Sequence, residues 1–496
     1  MKVTLINPGN TYELVGNDPV IIKEQQGLMP PLGILYMAAY LKNTGRYEMS
    51  VIDVQAEDLT HAEVGERIRD MKPDVIGITA MTFTLIDVKY TLQEIRKWWN
   101  GIVVIGGPHV VIYPNETLKA FQADYVVIGE GEITMDELLQ YIAKEGKDGT
   151  KKVWRQERFI EDLDALPFPA RELTHIDKYY SVLAKDTPTS SAFSSRGCPF
   201  SCSFCDRPAL GKGFRAMGAT RIVDEMEFCI NAGIKEIFYY DDTFSVRKSR
   251  VHDICNEIKR RGLAWQEPNG EWKHKLGWDV RTRVNVVDEE LLKNMHEAGL
   301  ERIHFGIESA VPRVIKQLQK GITTEQVEDA FALCKKFGIQ TLAYFMMGNP
   351  TETHEDVMET LRLCRRIEPD FMQMTILSPF PATAIYFQAL KDGIIEKDIW
   401  KDYALNMQED FRPPLWLEKF TRNELESELR WFYRNFYLQP RFIKDRILEV
   451  RNVPQFKRYA KAGLSLLRMT LTPESKLKDS WGLRNRLKGQ MSMVGS

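Results

Sequence analysis

Two periods of hydrophobicity alternate along the first 140 residues. Short runs dense in β-branched and aliphatic residues fall at Val3–Asn7, Ser50–Val54, Val75–Thr79, Val103–Ile105 and Tyr125–Ile128. Between or after them lie stretches with helical spacing. One runs from about Pro31 through Leu35, Ala38 and Leu41 to a stop at Gly45; others surround Glu63–Met71, Ile86–Trp99 and Thr134–Ala143. Runs that are apolar on both faces belong to a parallel sheet covered on both sides. Five such strands joined by right-handed crossovers predict an α/β unit, a doubly wound five-stranded parallel sheet.

A second alternation follows. Asp162-Leu-Asp-Ala-Leu-Pro-Phe-Pro-Ala-Arg171 has two prolines in three residues and reads as an extended connector. Strands are then expected at Ser190–Ser195, Glu236–Tyr240, Leu276–Thr282, Arg302–Ile307, Thr341–Met347 and Phe371–Leu377. Six βα units predict a partial (β/α)6 barrel, whose chemistry belongs at the C-terminal ends of its strands. From Trp400 the alternation ends. Arg422–Tyr437 is helical, with Trp431, Phe432, Phe436 and Tyr437 along it, and Gly489–Ser496 has the composition of a disordered tail. The expected division is 1–150, a linker 151–185, a core 186–400 and a mostly helical, basic C-terminal region 401–496.

Composition narrows the field without deciding it. The 496 residues are 44% hydrophobic and 27% charged, with a formal net charge of -2, which gives no whole-protein field for nucleic acid. No apolar stretch reaches the roughly 18–20 residues of a membrane span. Between Arg441 and Lys488 basic residues outnumber acidic ones, and the stretches Phe442–Val450 and Pro454–Met469 mix apolar and basic positions. Such a helix can lie on an anionic membrane surface or simply present a solvated face. The seven cysteines and the polar Met-Lys-Val start, with no signal peptide, suit a reducing cytoplasm.

The most telling run is Ser195-Arg-Gly-Cys-Pro-Phe-Ser-Cys-Ser-Phe-Cys-Asp206. Three thiolates, Cys198, Cys202 and Cys205, spaced Cys-x3-Cys-x2-Cys on one turn-rich loop, can hold three corners of an iron–sulfur cube and leave the fourth iron open to a small molecule. A structural zinc site needs a fourth ligand, and no Cys or His lies close enough in sequence to supply it. Cys229, Cys255, Cys334 and Cys364 fall in helical patterns and read as buried apolar thiols.

Polar and small residues gather at the expected strand ends. In the first unit they are Asn7-Pro8-Gly9-Asn10, Thr79-Ala80-Met81-Thr82, Gly106-Gly107-Pro108-His109 and Gly129-Glu130-Gly131-Glu132. Small residues there admit a large flat ligand, while the absence of Gly-x-Gly-x-x-Gly after the first strand argues against a nicotinamide cofactor. In the second unit Tyr239-Tyr240-Asp241-Asp242-Thr243-Phe244 ends one strand; the two carboxylates suit a ribose or an ammonium group, or Asp242-Thr243 caps a helix. Asp279, Arg281 and Arg283 alternate on one face of the next strand, and an inward arginine calls for an anion. His304-Phe-Gly-Ile-Glu308-Ser and Met346-Met347-Gly348-Asn-Pro-Thr-Glu352 end the following two.

The cysteine loop resembles the signature of the radical S-adenosylmethionine (SAM) enzymes. Gly306-Ile-Glu-Ser309 is similar to an element that contacts SAM in that family, and Gly348-Asn-Pro-Thr-Glu352 to its Gly-x-Pro-x-Glu turn. The Gly-Gly-Pro-His and Gly-Glu-Gly-Glu loops and the Leu-Pro-Phe-Pro-Ala-Arg link resemble the cobalamin-binding domain and connector ahead of many radical SAM cores. The resemblance, over about residues 1–450, is to the clade that includes the anaerobic magnesium-protoporphyrin monomethyl ester cyclases and the hopanoid C-methylases. It implies a [4Fe–4S] cluster on Cys198, Cys202 and Cys205. It implies SAM contacts at Phe204, Asp241, Asp242, Arg281, Glu308, Met347 and Gly348. Cobalamin contacts are implied at Pro8, Gly9, Thr79, Thr82, Gly106, Gly107, Pro108, His109, Gly129, Glu130 and Gly131. No Asp-x-His-x-x-Gly motif is present, which implies cobalt without a histidine beneath it; a loop histidine such as His109 is more often a hydrogen-bonding group than an axial ligand.

The function implied is reductive cleavage of SAM and functionalisation of an unactivated carbon, with methyl transfer from methylcobalamin as the leading reading. A cyclase-type oxidoreductase without methyl transfer is the alternative, and a non-catalytic cobalamin or redox sensor the rival from another class. Side-chain acid–base catalysis, which contributes about 10²–10⁴-fold, is too weak for a carbon with no acidity. The partners implied are a small-molecule, lipid or peptide substrate and an external electron donor such as flavodoxin or ferredoxin.

Overall fold

The computed structural model of the chain describes residues 1–14, 27–205 and 211–448, with scattered positions up to 467. Half of the expected helix Pro454–Met469 and all of the tail Gly489–Ser496 lie outside the described residues.

The first sheet is formed by β1 (Lys2–Asn7), β2 (Glu48–Asp53), β3 (Val75–Thr79), β4 (Ile102–Gly106), β5 (Tyr125–Ile128) and β6 (Val153–Arg155) in the order β2-β1-β3-β4-β5-β6, every pair parallel. It has six strands, not the five expected; β6 lies beyond residue 150 and is only three residues long, too short to show a period. Alternate side chains build two apolar layers. Val3, Leu5, Val75, Val104 and Val127 pack with Ile34, Ala38, Leu138 and Ile142 of the helices Leu32–Asn43 and Gly131–Glu145. Ile6, Ile52, Ile76, Ile78, Ile105 and Ile128 pack with Val64, Ile68, Val88 and Ile95 of His61–Met71 and Leu85–Arg96. Strand order reverses between β1 and β3, and the crevice for a ligand in such a sheet opens at the carboxyl ends there.

The second sheet takes β7 (Thr189–Ala192), then passes a two-stranded stem of β8 (Ser195–Arg196) and β9 (Arg215–Ala216). It continues with β10 (Glu236–Tyr239), passes a hairpin of β11 (Ala264–Gln266) and β12 (Trp272–His274), and ends with β13 (Gly277–Thr282), β14 (Leu300–Glu308), β15 (Gln340–Met347) and β16 (Phe371–Ile376). Its six strands lie side by side in chain order, all parallel, the curled half-barrel that six βα units produce. Helices Thr324–Phe337 and His354–Ile367 each begin at a threonine whose side chain and third-residue partner cap each other, Thr323 with Gln326 and Thr353 with Asp356.

The barrel interior is polar. The Arg302 guanidinium donates to Glu236 at 3.3 Å, to Asp279 at 3.2 Å and to Gln340 at 3.0 Å, while His304 Nε2 lies 2.6 Å from Asp279 and its Nδ1 2.8 Å from the Tyr344 hydroxyl. Burial works against the Asp279 charge, but His304 and Arg302 outweigh it and hold the carboxyl below its ordinary value.

Helix Arg422–Tyr437 closes the outer edge of β16. The Tyr433 hydroxyl meets Met374 N and O at 3.2 Å each, and the Tyr437 hydroxyl meets Met372 N at 3.1 Å and O at 2.6 Å. Four helical residues rise about 6 Å and two strand residues about 6.6 Å, so one helix face matches the unpaired groups of an edge strand. The connector is tied down as well. Arg171 is buried against Ser190, the Ser191 carbonyl and Glu225, and the Tyr179 hydroxyl donates to Asp53 of β2 at 2.7 Å.

Candidate functional site

The cysteine loop springs from the β8–β9 stem. Gly197 enters it at φ +83, and a Cβ there would overlap the Gly213 carbonyl oxygen; only glycine turns the chain at this point without strain. Within the loop Cys205 N donates to Cys202 O at 3.2 Å. Ser203 fastens the loop to its surroundings, its N–H to Leu318 O at 2.9 Å and its carbonyl to Ile385 N at 3.0 Å. Cys198 is buried with Thr243 Oγ1 at 3.4 Å, Cys202 is half-buried and Cys205 is exposed. All seven cysteines are free, and the other four are buried in helices, where burial pushes their thiols up.

Arg283 meets the middle thiol of the loop. Its Nη1 lies 3.3 Å from Cys202 Sγ, its guanidinium covers the Phe200 ring at 4.1 Å, and Nη2 donates to the Lys320 carbonyl. Among the described residues no three His, Cys, Asp or Glu side chains converge on a single ion. A cubane asks instead for one thiolate on each of three irons, and three free thiols on one loop beside an arginine fit that demand.

Opposite the loop stands the end of β14. Glu308 has φ +69 at a register shift between Gly306 and Glu308, and its carboxylate accepts from Lys320 Nζ at 2.7 Å. Lys320 is buried and also faces the Phe204 ring at 5.7 Å. A Cβ on Gly306 would sit 2.6 Å from Lys320 Nζ and 2.7 Å from Glu308 Oε1, so the glycine makes room for the pair. The structure therefore links Cys202, Phe204 and Glu308 of the expected site through Arg283 and Lys320, with Cys198 and Cys205 on the same loop. Lys320 pairs across twelve residues of chain, a contact no local pattern announces.

Other expected contacts have different surroundings. Asp241 is buried with both oxygens engaged, accepting from Ser194 N at 2.7 Å, Ser194 Oγ at 2.5 Å and Ser195 Oγ at 2.6 Å. It braces the stem of the cysteine loop. Asp242 is exposed and caps no helix, since the next one begins at Lys248. Arg281 sits one inward position below Arg283, stacked on the Tyr240 ring at 3.8 Å and donating to Tyr239 O at 3.3 Å. Met347 is buried in the apolar layer between the second sheet and its helices, and Gly348 (φ +72) faces Leu425 of the Arg422–Tyr437 helix.

At the carboxyl edge of the first sheet Thr79, Thr82, Gly106, Gly107, Gly129 and Gly131 are half-buried and Pro108 is exposed. Gly107 has φ +100, and a Cβ would stand 2.7 Å from Ala80 O and 2.8 Å from Thr79 Oγ1, so this glycine lets the β3 and β4 loops meet. Met81, just past β3, and Ile133, in the first turn of helix Gly131–Glu145, are 48% and 43% exposed. Apolar side chains left open along the ligand-binding edge of such a sheet fit a large flat cofactor such as a corrin. Pro8 and Gly9 are buried, Gly9 against Asp87 and Val54. His109 points into the core, with Nδ1 3.1 Å from Thr82 Oγ1, and burial lowers its pKa to about 4. Its surroundings are those of an interior group. Glu130 is likewise interior, and with Glu132 it binds Arg196 and Arg215 of the cysteine-loop stem.

Residues 193–364 match the model of the Radical SAM superfamily and residues 19–139 that of the B12 binding domain. The chain is 35% identical to an uncharacterized methyltransferase of Pyrococcus horikoshii, over 84% of this chain and 90% of the relative. It is 29% identical to the anaerobic magnesium-protoporphyrin IX monomethyl ester cyclase of Rubrivivax gelatinosus, over 90% of this chain and 79% of that one. The radical S-adenosylmethionine methyltransferase TsrM of Kitasatospora setae, solved with tryptophan substrate and a SAM analog, has TM-score 0.66 at 17% identity, covering 99% of both chains. The cobalamin-dependent S-adenosylmethionine radical enzyme OxsB has TM-score 0.65 at 17% identity, covering 99% of this chain and 76% of its own. Likeness at that identity speaks for the fold. The chain belongs to the radical SAM superfamily, in the branch whose core follows a B12-binding domain.

Proposed function

We propose that the chain is a cobalamin-dependent radical SAM enzyme that methylates an unactivated carbon of a small-molecule substrate. The cofactors are a [4Fe–4S] cluster, SAM and cobalamin. When bound, the cluster supplies the electron that cleaves SAM to a 5′-deoxyadenosyl radical, which takes hydrogen from the substrate, and cobalamin supplies the methyl group. Cys198, Cys202 and Cys205 would hold the cluster. Phe204, Glu308, Lys320 and Arg283 would line the SAM side of it, with the buried Lys320–Glu308 pair fixing one wall. Thr79, Thr82, Gly106, Gly107 and Pro108 would meet cobalamin, and His109, bonded to Thr82, would keep those loops in place without reaching cobalt. Arg281, stacked on Tyr240, and Tyr344 lie on the barrel side of Arg283, where a substrate group would be oriented.

One observation carries the reading. The carboxyl edge of the first sheet and the cysteine-loop stem touch directly, Glu130 Oε1 lying 2.9 Å from Arg196 Nη1, two residues before Cys198. A methyl donor on one edge and a radical source on the other would then serve one enclosed space, which is how an enzyme turns cofactor chemistry into a single outcome. The likeness to the Rubrivivax cyclase supports the second reading, an oxidoreductase without methyl transfer.

A reducing cytoplasm and a flavodoxin- or ferredoxin-type electron donor complete the proposal. Among the described residues no helix is long and apolar enough to cross a membrane. Helix Pro440–Leu448 exposes Ile443, Ile447 and Leu448 beside Arg441 and Lys444, which supports contact with an anionic membrane surface.

By-product stoichiometry tests the proposal. The reconstituted enzyme is given SAM, a low-potential reductant and cell extract as substrate source. Methyl transfer consumes two SAM, one leaving S-adenosylhomocysteine after cobalamin is methylated and one leaving 5′-deoxyadenosine. Both should form in equal amounts and depend on added cobalamin. Production of 5′-deoxyadenosine with no cobalamin-dependent S-adenosylhomocysteine would overturn methyl transfer and leave the oxidoreductase.

A further inference from the structure

The Gly129-Glu-Gly-Glu132 loop and the cysteine-loop stem share one buried ion cluster. Arg196 gives Nη1 to Glu130 at 2.9 Å and Nη2 to Glu132 at 2.6 Å. Arg215, its partner across the two-stranded stem, gives Nη1 to both Glu130 oxygens at 2.9 and 3.0 Å and to Ile160 O at 2.7 Å. Glu130 Oε2 also accepts from Ile160 N at 2.8 Å. None of the four charged side chains is more than 9% exposed. Arg196 lies over the Tyr36 ring at 5.4 Å and Arg215 over Phe159 at 4.7 Å, so aromatic rings cover the guanidinium faces.

We infer that Glu130 and Glu132 are positioning residues that set where the cysteine loop stands relative to the carboxyl edge of the first sheet. Three features lead there. The cluster joins the carboxyl edge of the first sheet to the two-stranded stem of the cysteine loop, a place where simple cohesion needs only apolar contact. Its charges balance, two against two, and Arg196 bridges the two glutamates with one Nη on each, so the planar guanidinium is held in orientation as well as in distance. It grips both strands of a stem only two residues long, whose next residue after Arg196 is the Gly197 turn into Cys198. Buried ion pairs add little net stability compared with apolar packing of equal size, so a role in placement accounts for the cluster where a role in stability does not. The inference rests on the reading that cobalamin and the cluster serve one space.

The test compares full-length apo proteins by hydrogen exchange and reconstituted proteins by the electron paramagnetic resonance of the reduced cluster. In Glu132→Gln the amides of residues 196–205 should exchange at least about tenfold faster, those of helix His354–Ile367 should be unchanged, and the resonance should broaden. Glu132→Gln with Arg196→Gln removes the stranded charge along with its partner. Its Tm should return close to the parent value while loop exchange and line shape stay perturbed. A cohesive role would instead restore all three together. Parent-like exchange and line shape in both variants would overturn the inference, even if methyl transfer is established. Wild-type protein that makes no S-adenosylhomocysteine would overturn methyl transfer and leave the exchange result standing.

Discussion

Gly197→Ala is the sharpest single perturbation of the cysteine loop. The parent residue holds φ +83, a region that costs a side-chain-bearing residue about 1–2 kcal/mol. The added methyl would overlap the Gly213 carbonyl and lie 3.1 Å from that of Gly211, and overpacking against backbone costs about 1–3 kcal/mol. Together the native entry to the loop becomes about 2–5 kcal/mol less favourable. Ligation needs that arrangement, so the apparent affinity for iron and sulfide should drop by about 30-fold or more. The assay is cluster retention against a competing chelator after anaerobic reconstitution, read by iron and sulfide per chain. Gly213→Ala is the control, because a Cβ there meets nothing within 4 Å; it should hold iron as the parent does. A Gly197→Ala protein that retains its cluster as tightly as the parent would refute the claim that this turn sets the cysteine positions.

Other outcomes follow from the same geometry. Replacing Cys198, Cys202 and Cys205 by Ala should abolish cluster absorbance and SAM cleavage, while Cys334→Ala, a buried helical thiol, should leave both intact. Bound cobalamin should show no histidine nitrogen on cobalt in its visible and paramagnetic spectra, since His109 is turned into the core. Burial pushes the Glu352 carboxyl up from 4.5 to about 7 despite donation from Asn349. The folded state then binds the proton more tightly than the unfolded one, and stability is full below about pH 4.5 and falls as pH rises through 7. Glu352→Gln should flatten that fall in a series of thermal melts; an unchanged slope would count against it. Tyr433→Phe with Tyr437→Phe strips the β16 edge of its partners, and about 1–3 kcal/mol per stranded group should appear in chemical denaturation.

Much of this architecture is written in hydrophobic period. Val75–Thr79, Tyr125–Ile128 and Arg422–Tyr437 have the bounds the pattern predicts, because long apolar runs and strong helical faces carry their own signal. The cysteine loop is equally legible, since its chemistry lies in twelve consecutive residues. What the sequence withholds is direction and pairing. Glu130 reads as a ligand-loop residue, yet its arginine partners are 66 and 85 positions away. Asp241 looks open beside Asp242, but the pleat turns it inward onto Ser194 and Ser195. The alternation of Asp279, Arg281 and Arg283 gives their common face and says nothing of depth, which decides that Arg283 reaches Cys202 and Arg281 does not.

The fate of the SAM methyl group tests the central claim most directly. The cobalamin-loaded enzyme, trideuteromethyl SAM and a low-potential reductant are incubated with extract from a strain lacking the gene, and metabolites are compared by mass. One compound should gain a single trideuteromethyl group in place of a hydrogen on an unactivated carbon, and only when cobalamin is present. A product that forms without the label, while 5′-deoxyadenosine accumulates, would contradict it.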